Sequence, residues 1–184
     1  MNTLPFYIFL FLHLTFLIVG FGAVLVIDFL GIVWIRGKIS KRIFAHVTRY
    51  TRKLIWLGWI GLVCSGVGLI ILKGYIDNLT KLKLFFVLMI GVNGVILGSI
   101  QKSLDKADGD SIPVFLKFRI VIATIVSQIG WWGAITIGFL HRHWQHNIPW
   151  PDNFWLYILS IVLSFGILVL VGRLLLPQKQ YKTG

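Results

Sequence analysis

Glutamate is missing from this 184-residue chain: all six acidic residues are aspartate, against 18 Lys and Arg. Without glutamate there is no terminal bidentate ligand for an EF-hand loop. The acidic stretch Asp105-Lys106-Ala107-Asp108-Gly109-Asp110 therefore reads as a polar turn, followed by a helix start at Ser111 and Pro113. A single cysteine, Cys64, excludes an intramolecular disulfide, a CxxC redox pair and a thiolate zinc cluster. There is no phosphate-binding loop, no nucleophile paired with a base, no Ser- or Pro-rich linker and no convincing internal repeat. One domain covering residues 1–184 is expected. Residues 1–4 carry no basic n-region and the apolar run behind them is about twice a signal-peptide core, so the segment is expected to stay as an anchor.

What the chain has is apolar length. Apolar residues make up 57% of it and aromatics 15%, where a soluble domain has about 45–50% apolar residues. Five runs are long enough to cross a hydrocarbon layer of about 30 Å as helices: residues 5–35, 54–73, 82–100, 114–140 and 154–176. The alternating ten-residue pattern of an outer-membrane barrel is absent. The expected fold is all-α, an integral membrane bundle of five transmembrane helices.

The net charge of +12 could point to nucleic acid, but its distribution points to topology. Fourteen Lys and Arg fall in the 36–53 segment, the third connection and the C-terminus, and only Lys73, Lys81, Lys83 and Arg142 fall on the other side. The positive-inside rule then places the N-terminus outside and the C-terminus in the cytoplasm, with no nucleic-acid role. A prokaryotic cytoplasmic membrane is the expected location. Segment 36–53 has no acidic residue and sets Ile39, Ile43, Phe44, Val47 and Tyr50 on one stripe. It reads either as a surface helix against anionic lipid or as a plain basic topology determinant.

Two ionisable side chains interrupt the first run, His13 and Asp28. An Asp at a helix centre costs roughly 2.5–3.5 kcal/mol to insert, so each needs a reason to be there. His13 sits about 12 Å into the first helix, at a depth that Cys64 and Met89 could share. Imidazole and thioether are axial ligands of haem iron, and imidazole with thioether or thiol also suits Cu(I). The simpler reading of His13 is a hydrogen bond to a neighbouring helix. His141, about 42 Å beyond Pro113, could join His13 as a second haem ligand only on a short or tilted helix. Asp28 has Arg119 as its expected partner, an intramembrane ion pair that either fixes packing or relays protons or ions. The loop His141-Arg142-His143-Trp144-Gln145-His146 reads as a polar rim with an aromatic belt rather than a gathered metal site. Glycines dense within the runs, Gly94 and Gly98 among them, predict close helix packing, internally or against a second copy or a partner subunit.

In residues 7–104 the layout Leu12-His13-Leu14, then Gly20 and Gly22, a basic hairpin, the Gly-rich Leu57–Gly66 stretch and Leu82-Lys83-Leu84 resembles small haem- or copper-associated membrane proteins. These include the copper-resistance D proteins and the small membrane protoporphyrinogen oxidases. The chain departs from them in lacking a Trp-x-Gly element in helix one and in carrying Asn93 where a histidine often stands. The resemblance implies that His13 binds b-type haem or, as the lesser alternative, copper. The expected function is thus a haem- or copper-binding membrane protein in electron transfer or cofactor handling. The alternatives are a non-catalytic accessory subunit and a small transporter using Asp28 and Arg119.

Overall fold

The computed structural model describes residues 3–106 and 114–143, together with residues 155, 158, 159, 162, 163 and 166. The chain divides into two units, Met1–His143 and Trp144–Gly184. The first contains four helices: α1 (Leu4–Ile35), α2 (Lys41–Lys73), α3 (Asn78–Lys106) and α4 (Val114–His143). All four are long and apolar enough to cross a membrane. In the second unit the six described positions are helical. The rest of the expected 154–176 span lies outside the described residues, as do residues 107–113 and His146.

Local chemistry sets the helix ends. Pro5 occupies the first turn of α1, where its missing N–H costs nothing. Gly37, at φ 71°, ends it. There the N–H groups of Arg36, Gly37 and Lys38 take the carbonyls of Ile32, Trp34 and Val33 at 3.1, 2.8 and 3.1 Å. Ser40 caps α2, its hydroxyl accepting from Ile43 N at 3.4 Å. Gly74, at φ 79°, ends α2, and Asp77 opens α3 by accepting Thr80 N–H on Oδ1 at 2.8 Å.

The basic segment is not a separate surface helix. Residues 36–40 make the turn, whereas Lys41–Lys53 are the first part of α2 and continue into residues 54–73 without a break. At 1.5 Å per residue, the 33 residues of α2 extend about 50 Å, well beyond a hydrocarbon core of about 30 Å.

Consecutive helices run antiparallel, and each interface has its own packing device. Along α1 and α2, Phe9, His13, Phe16 and Gly20 meet Gly68, Ser65, Gly61 and Gly58 in turn. These positions recur at the three- and four-residue spacing of a coiled-coil seam, with large side chains on α1 and small ones on α2. The closest approach is Gly20 on Gly58: a Cβ at Gly58 would stand 2.6 Å from Gly20 N and 2.9 Å from Phe16 O. Farther along the pair, Trp34 stacks on Phe44 at 4.8 Å between ring centroids. Between α2 and α3 two tryptophans act as spacers. Trp59 lies over Gly91 and donates to Val87 O at 2.8 Å, and Trp56 lies against Gly94. α3 and α4 meet through Phe86 on Gly133, Ile90 on Gly130 and Asn93, which is buried and donates to Ala123 O at 2.8 Å.

Trp131 of α4, 1% exposed, closes the centre against Phe21, Val24, Leu62 and Ile90. The outward faces carry Phe11, Ile18, Phe29, Ile71, Leu88 and Val95, all exposed, while Ser65, Thr51, Asn93 and Ser127 are buried. Large apolar residues outside with small and polar ones inside is the arrangement that lipid surroundings favour.

Candidate functional site

The seam that joins α1 to α2 places His13. Its Nδ1 lies 3.0 Å from Ser65 Oγ, and the Ser65 hydroxyl is 2.6 Å from Gly61 O and 3.3 Å from Leu62 O. A hydroxyl has one proton and a carbonyl can only accept, so the short contact to Gly61 O uses that proton. Ser65 Oγ then accepts from His13, which puts the ring proton on Nδ1 and the lone pair on Nε2. Nε2 has no hydrogen-bond partner among the described residues. The interhelical hydrogen bond expected as the simpler role of His13 is thus formed, and it uses only one of the two ring nitrogens.

The other expected ligands lie elsewhere. Cys64 is exposed, one position and about 100° of rotation from Ser65. The α2 side chain that meets His13 is therefore Ser65, a residue the depth argument passed over. Met89 belongs to the α3–α4 interface, its Cε 3.3 Å from where a Gly130 Cβ would stand. His141 is engaged at the opposite wall of the same end of the bundle: its Nε2 is 3.0 Å from Asp77 Oδ2 and 3.4 Å from Lys73 Nζ. Among the described residues no three His, Cys, Asp or Glu side chains gather around a common metal position.

Asp28 has a different partner from the Arg119 expected. Its Oδ2 accepts from Gln128 Nε2, and Gln128 Oε1 accepts from Trp132 Nε1 at 3.0 Å. Arg119, nine residues earlier on α4, lies over the Phe115 ring at 5.9 Å. The expected ion pair presumed that the two helices start level at the end carrying Ser40. Nine residues correspond to about 13 Å of axial stagger, and that offset brings Gln128 to the level of Asp28.

A third polar group marks the end carrying Asp77. Lys73 Nζ lies 2.6 Å from Asp77 Oδ2 and 4.4 Å from the Tyr75 ring centroid. Partial burial opposes the Asp77 charge, but hydrogen bonds from Lys73 and Thr80 and the nearby His141 outweigh it, holding the carboxyl down at about 2 against an ordinary 3.8. Lys83, one turn into α3, turns toward α4 with Nζ 3.3 Å from where a Gly138 Cβ would stand. It is within electrostatic reach of His13 and His141.

Sequence reasoning used Lys83 as a topological charge and in the layout of the resemblance, and did not single out Ser65. The signal for Ser65 was present: Phe9, His13, Phe16 and Gly20 and the small set Gly58, Gly61, Ser65 and Gly68 share one seam spacing. Comparison of the chain with family models, with curated proteins and with solved structures found no match.

Proposed function

We propose that this chain is an integral membrane protein of five spans, N-terminus outside and C-terminus cytoplasmic, which binds b-type haem through His13 in the outer half of the bundle. The observation that carries the reading is the 3.0 Å contact of His13 Nδ1 with Ser65 Oγ, whose own proton goes to Gly61 O, because it assigns the ring proton to Nδ1. A histidine that donates Nδ1–H to a neighbour presents Nε2 as a Lewis base, the arrangement that orients metal-ligating imidazoles. The donor set fits a single axial ligand, since His141 is committed to Asp77 and Lys73. Copper is the poorer fit because Cys64 faces outward and supplies no thiolate beside His13. A bound haem would supply one-electron chemistry. The chain's own part is to hold the imidazole, through Ser65 and the Gly61 carbonyl, with one nitrogen open.

The test is an optical spectrum of the purified protein in detergent with metal analysis. A stoichiometric Soret band lost in His13→Ala supports the reading. No Soret band, or one unchanged by His13→Ala, removes it.

A second reading, a non-catalytic accessory bundle, draws on Asp28. Its hydrogen bond to the neutral Gln128 favours a packing role over a charge relay, and Arg119 lies over Phe115 instead of pairing with Asp28 as the transporter alternative requires. Co-purification of a stoichiometric membrane partner by a haem-free protein would favour it.

A further inference from the structure

Among the described residues, the end of the bundle that carries Asp77 has more cations than acids to meet them. Asp77 is fully engaged: Oδ2 takes Lys73 at 2.6 Å and His141 at 3.0 Å, and Oδ1 takes Thr80 N–H at 2.8 Å. The other acids among the described residues are occupied at other levels, Asp28 by Gln128 and Asp105 by Gln101 at 3.0 Å. Lys83 has no ion pair and no hydrogen bond among the described residues. It does not extend outward along the helix surface either. Lys83 is half-buried, and its ammonium lies against α4, where Gly138 leaves the space that a side chain would fill, with Nζ 3.3 Å and Cε 3.6 Å from the position of an added Cβ. Ionisable groups within apolar helices are paired as a rule, and nothing described on the protein pairs this one.

The flanks are apolar. Leu84 beside Lys83, Phe139 beside Gly138, and Ile76 in the turn are all exposed. A cation in a notch between helices with exposed apolar residues on both sides suits an anionic head with a hydrocarbon tail better than a free ion. We infer that Lys83, seated against Gly138 with Lys73 nearby, binds the phosphodiester head of an anionic phospholipid. Lys83 acts as a point charge on the phosphate oxygens, and the exposed faces of Leu84 and Phe139 carry the acyl chains. This inference does not rest on the haem reading, because the groups it uses are separate from His13 Nε2.

Native mass spectrometry of the delipidated full chain in detergent tests it, with phosphatidylglycerol, phosphatidylcholine and inorganic phosphate as probes. One phosphatidylglycerol per chain is expected to be retained in preference to phosphatidylcholine, with inorganic phosphate a weak competitor. Lys83→Met is expected to weaken retention about fivefold, the effect of about 1 kcal/mol for one basic residue at a lipid surface, and Lys83→Arg to preserve it. Lys81→Met, on the exposed face, should leave it unchanged. A melting curve in lipid-free detergent shows that each variant is folded. Equal retention by wild type and Lys83→Met overturns the inference, as does equal loss in Lys81→Met. Full competition by inorganic phosphate would make a soluble anion the occupant and overturn the lipid assignment.

Discussion

His13 and Asp28 stand on one helix, fifteen residues and about 60° of rotation apart, and their surroundings assign them opposite roles. His13 faces α2, where Ser65 takes one ring nitrogen and passes its own proton to a backbone carbonyl, so the chain of donors ends within α2 and Nε2 stays open. Asp28 faces α4, where its acceptor is met by Gln128, whose own oxygen is met by Trp132. One network leaves a ring nitrogen without a hydrogen bond among the described residues, and the other ends on the carboxyl. An ionisable residue within an apolar helix is thus informative through the atoms its partners leave over rather than through its presence.

The largest effect should come from separating the two networks at their common support. In Gly58→Val the new side chain would meet Gly20 N and Phe16 O, 2.6 and 2.9 Å from its Cβ, and backbone cannot yield as a flexible side chain can. Overpacking of this kind costs about 1–3 kcal/mol or more. The α1–α2 seam should open, taking the His13–Ser65 bond with it, while Asp28, held to α4, is affected less. Gly22→Ala, with nothing within 4 Å of the added Cβ, should leave the melting temperature in detergent unchanged. Equal melting of the two variants would show that the seam is not held by its glycines.

Next in size is the Asp28 side of the comparison. Gln128→Leu removes the donor and leaves a half-buried carboxyl facing apolar neighbours, at about 1–3 kcal/mol. Asp28→Asn keeps a side-chain acceptor for Gln128 and removes the charge, so it should cost less than about 1 kcal/mol. If Asp28→Asn proved the more damaging of the two, the charge itself would matter and a relay role would regain support.

Smaller in stability but sharper in chemistry is Ser65→Ala. A net cost of about 1 kcal/mol is expected for one interhelical hydrogen bond. The more telling readout is the ¹⁵N shifts of the His13 ring, which should show Nδ1–H in the wild type and a mixture of tautomers in the variant. A wild-type imidazole protonated on Nε2 would invert the assignment on which the haem proposal stands.

That the first 143 residues carry four helices long and apolar enough to cross a membrane was legible in the sequence, because crossing takes about 20 apolar residues, a requirement of length that composition displays directly. The run-on of α2 from residue 54 back to Lys41 was not, since hydropathy marks where a helix enters lipid and is silent on whether it continues into water. Pairings were harder still. Which of Cys64 and Ser65 faces His13 is a matter of about 100° of rotation, and which of Arg119 and Gln128 meets Asp28 is a matter of stagger between α1 and α4. Both quantities come from the packed seams, where Gly58 and Gly61 let α1 approach and Trp56 and Trp59 hold α3 away. Depth counted from the end of each apolar run assumes that all helices start level, and this bundle does not meet that assumption.

The smallest effect belongs to Asp77, which marks the contrast between a charge in lipid and a charge at its edge. Asp77 lies in the turn between α2 and α3, where Lys73, Thr80 and His141 favour its ionised form and lower it to about 2 from 3.8. A carboxyl lowered on folding contributes stability that is fully present above its unfolded value and is lost as pH falls through its folded value. The melting temperature should therefore be flat with respect to this group from neutral pH down to about 4 and decline between about 4 and 2. Asp77→Asn removes the titration while keeping an acceptor for Thr80 N–H, so its curve should lie below the wild type near neutrality and converge with it at the acid end. Because the carboxyl is partly exposed, added salt should narrow the gap at neutral pH. A wild-type curve that instead rises as pH falls from 6 to 4, in a way that Asp77→Asn abolishes, would mean that burial outweighs the ion pair, and that the cation-rich end lacks the fixed anion around which its geometry is built.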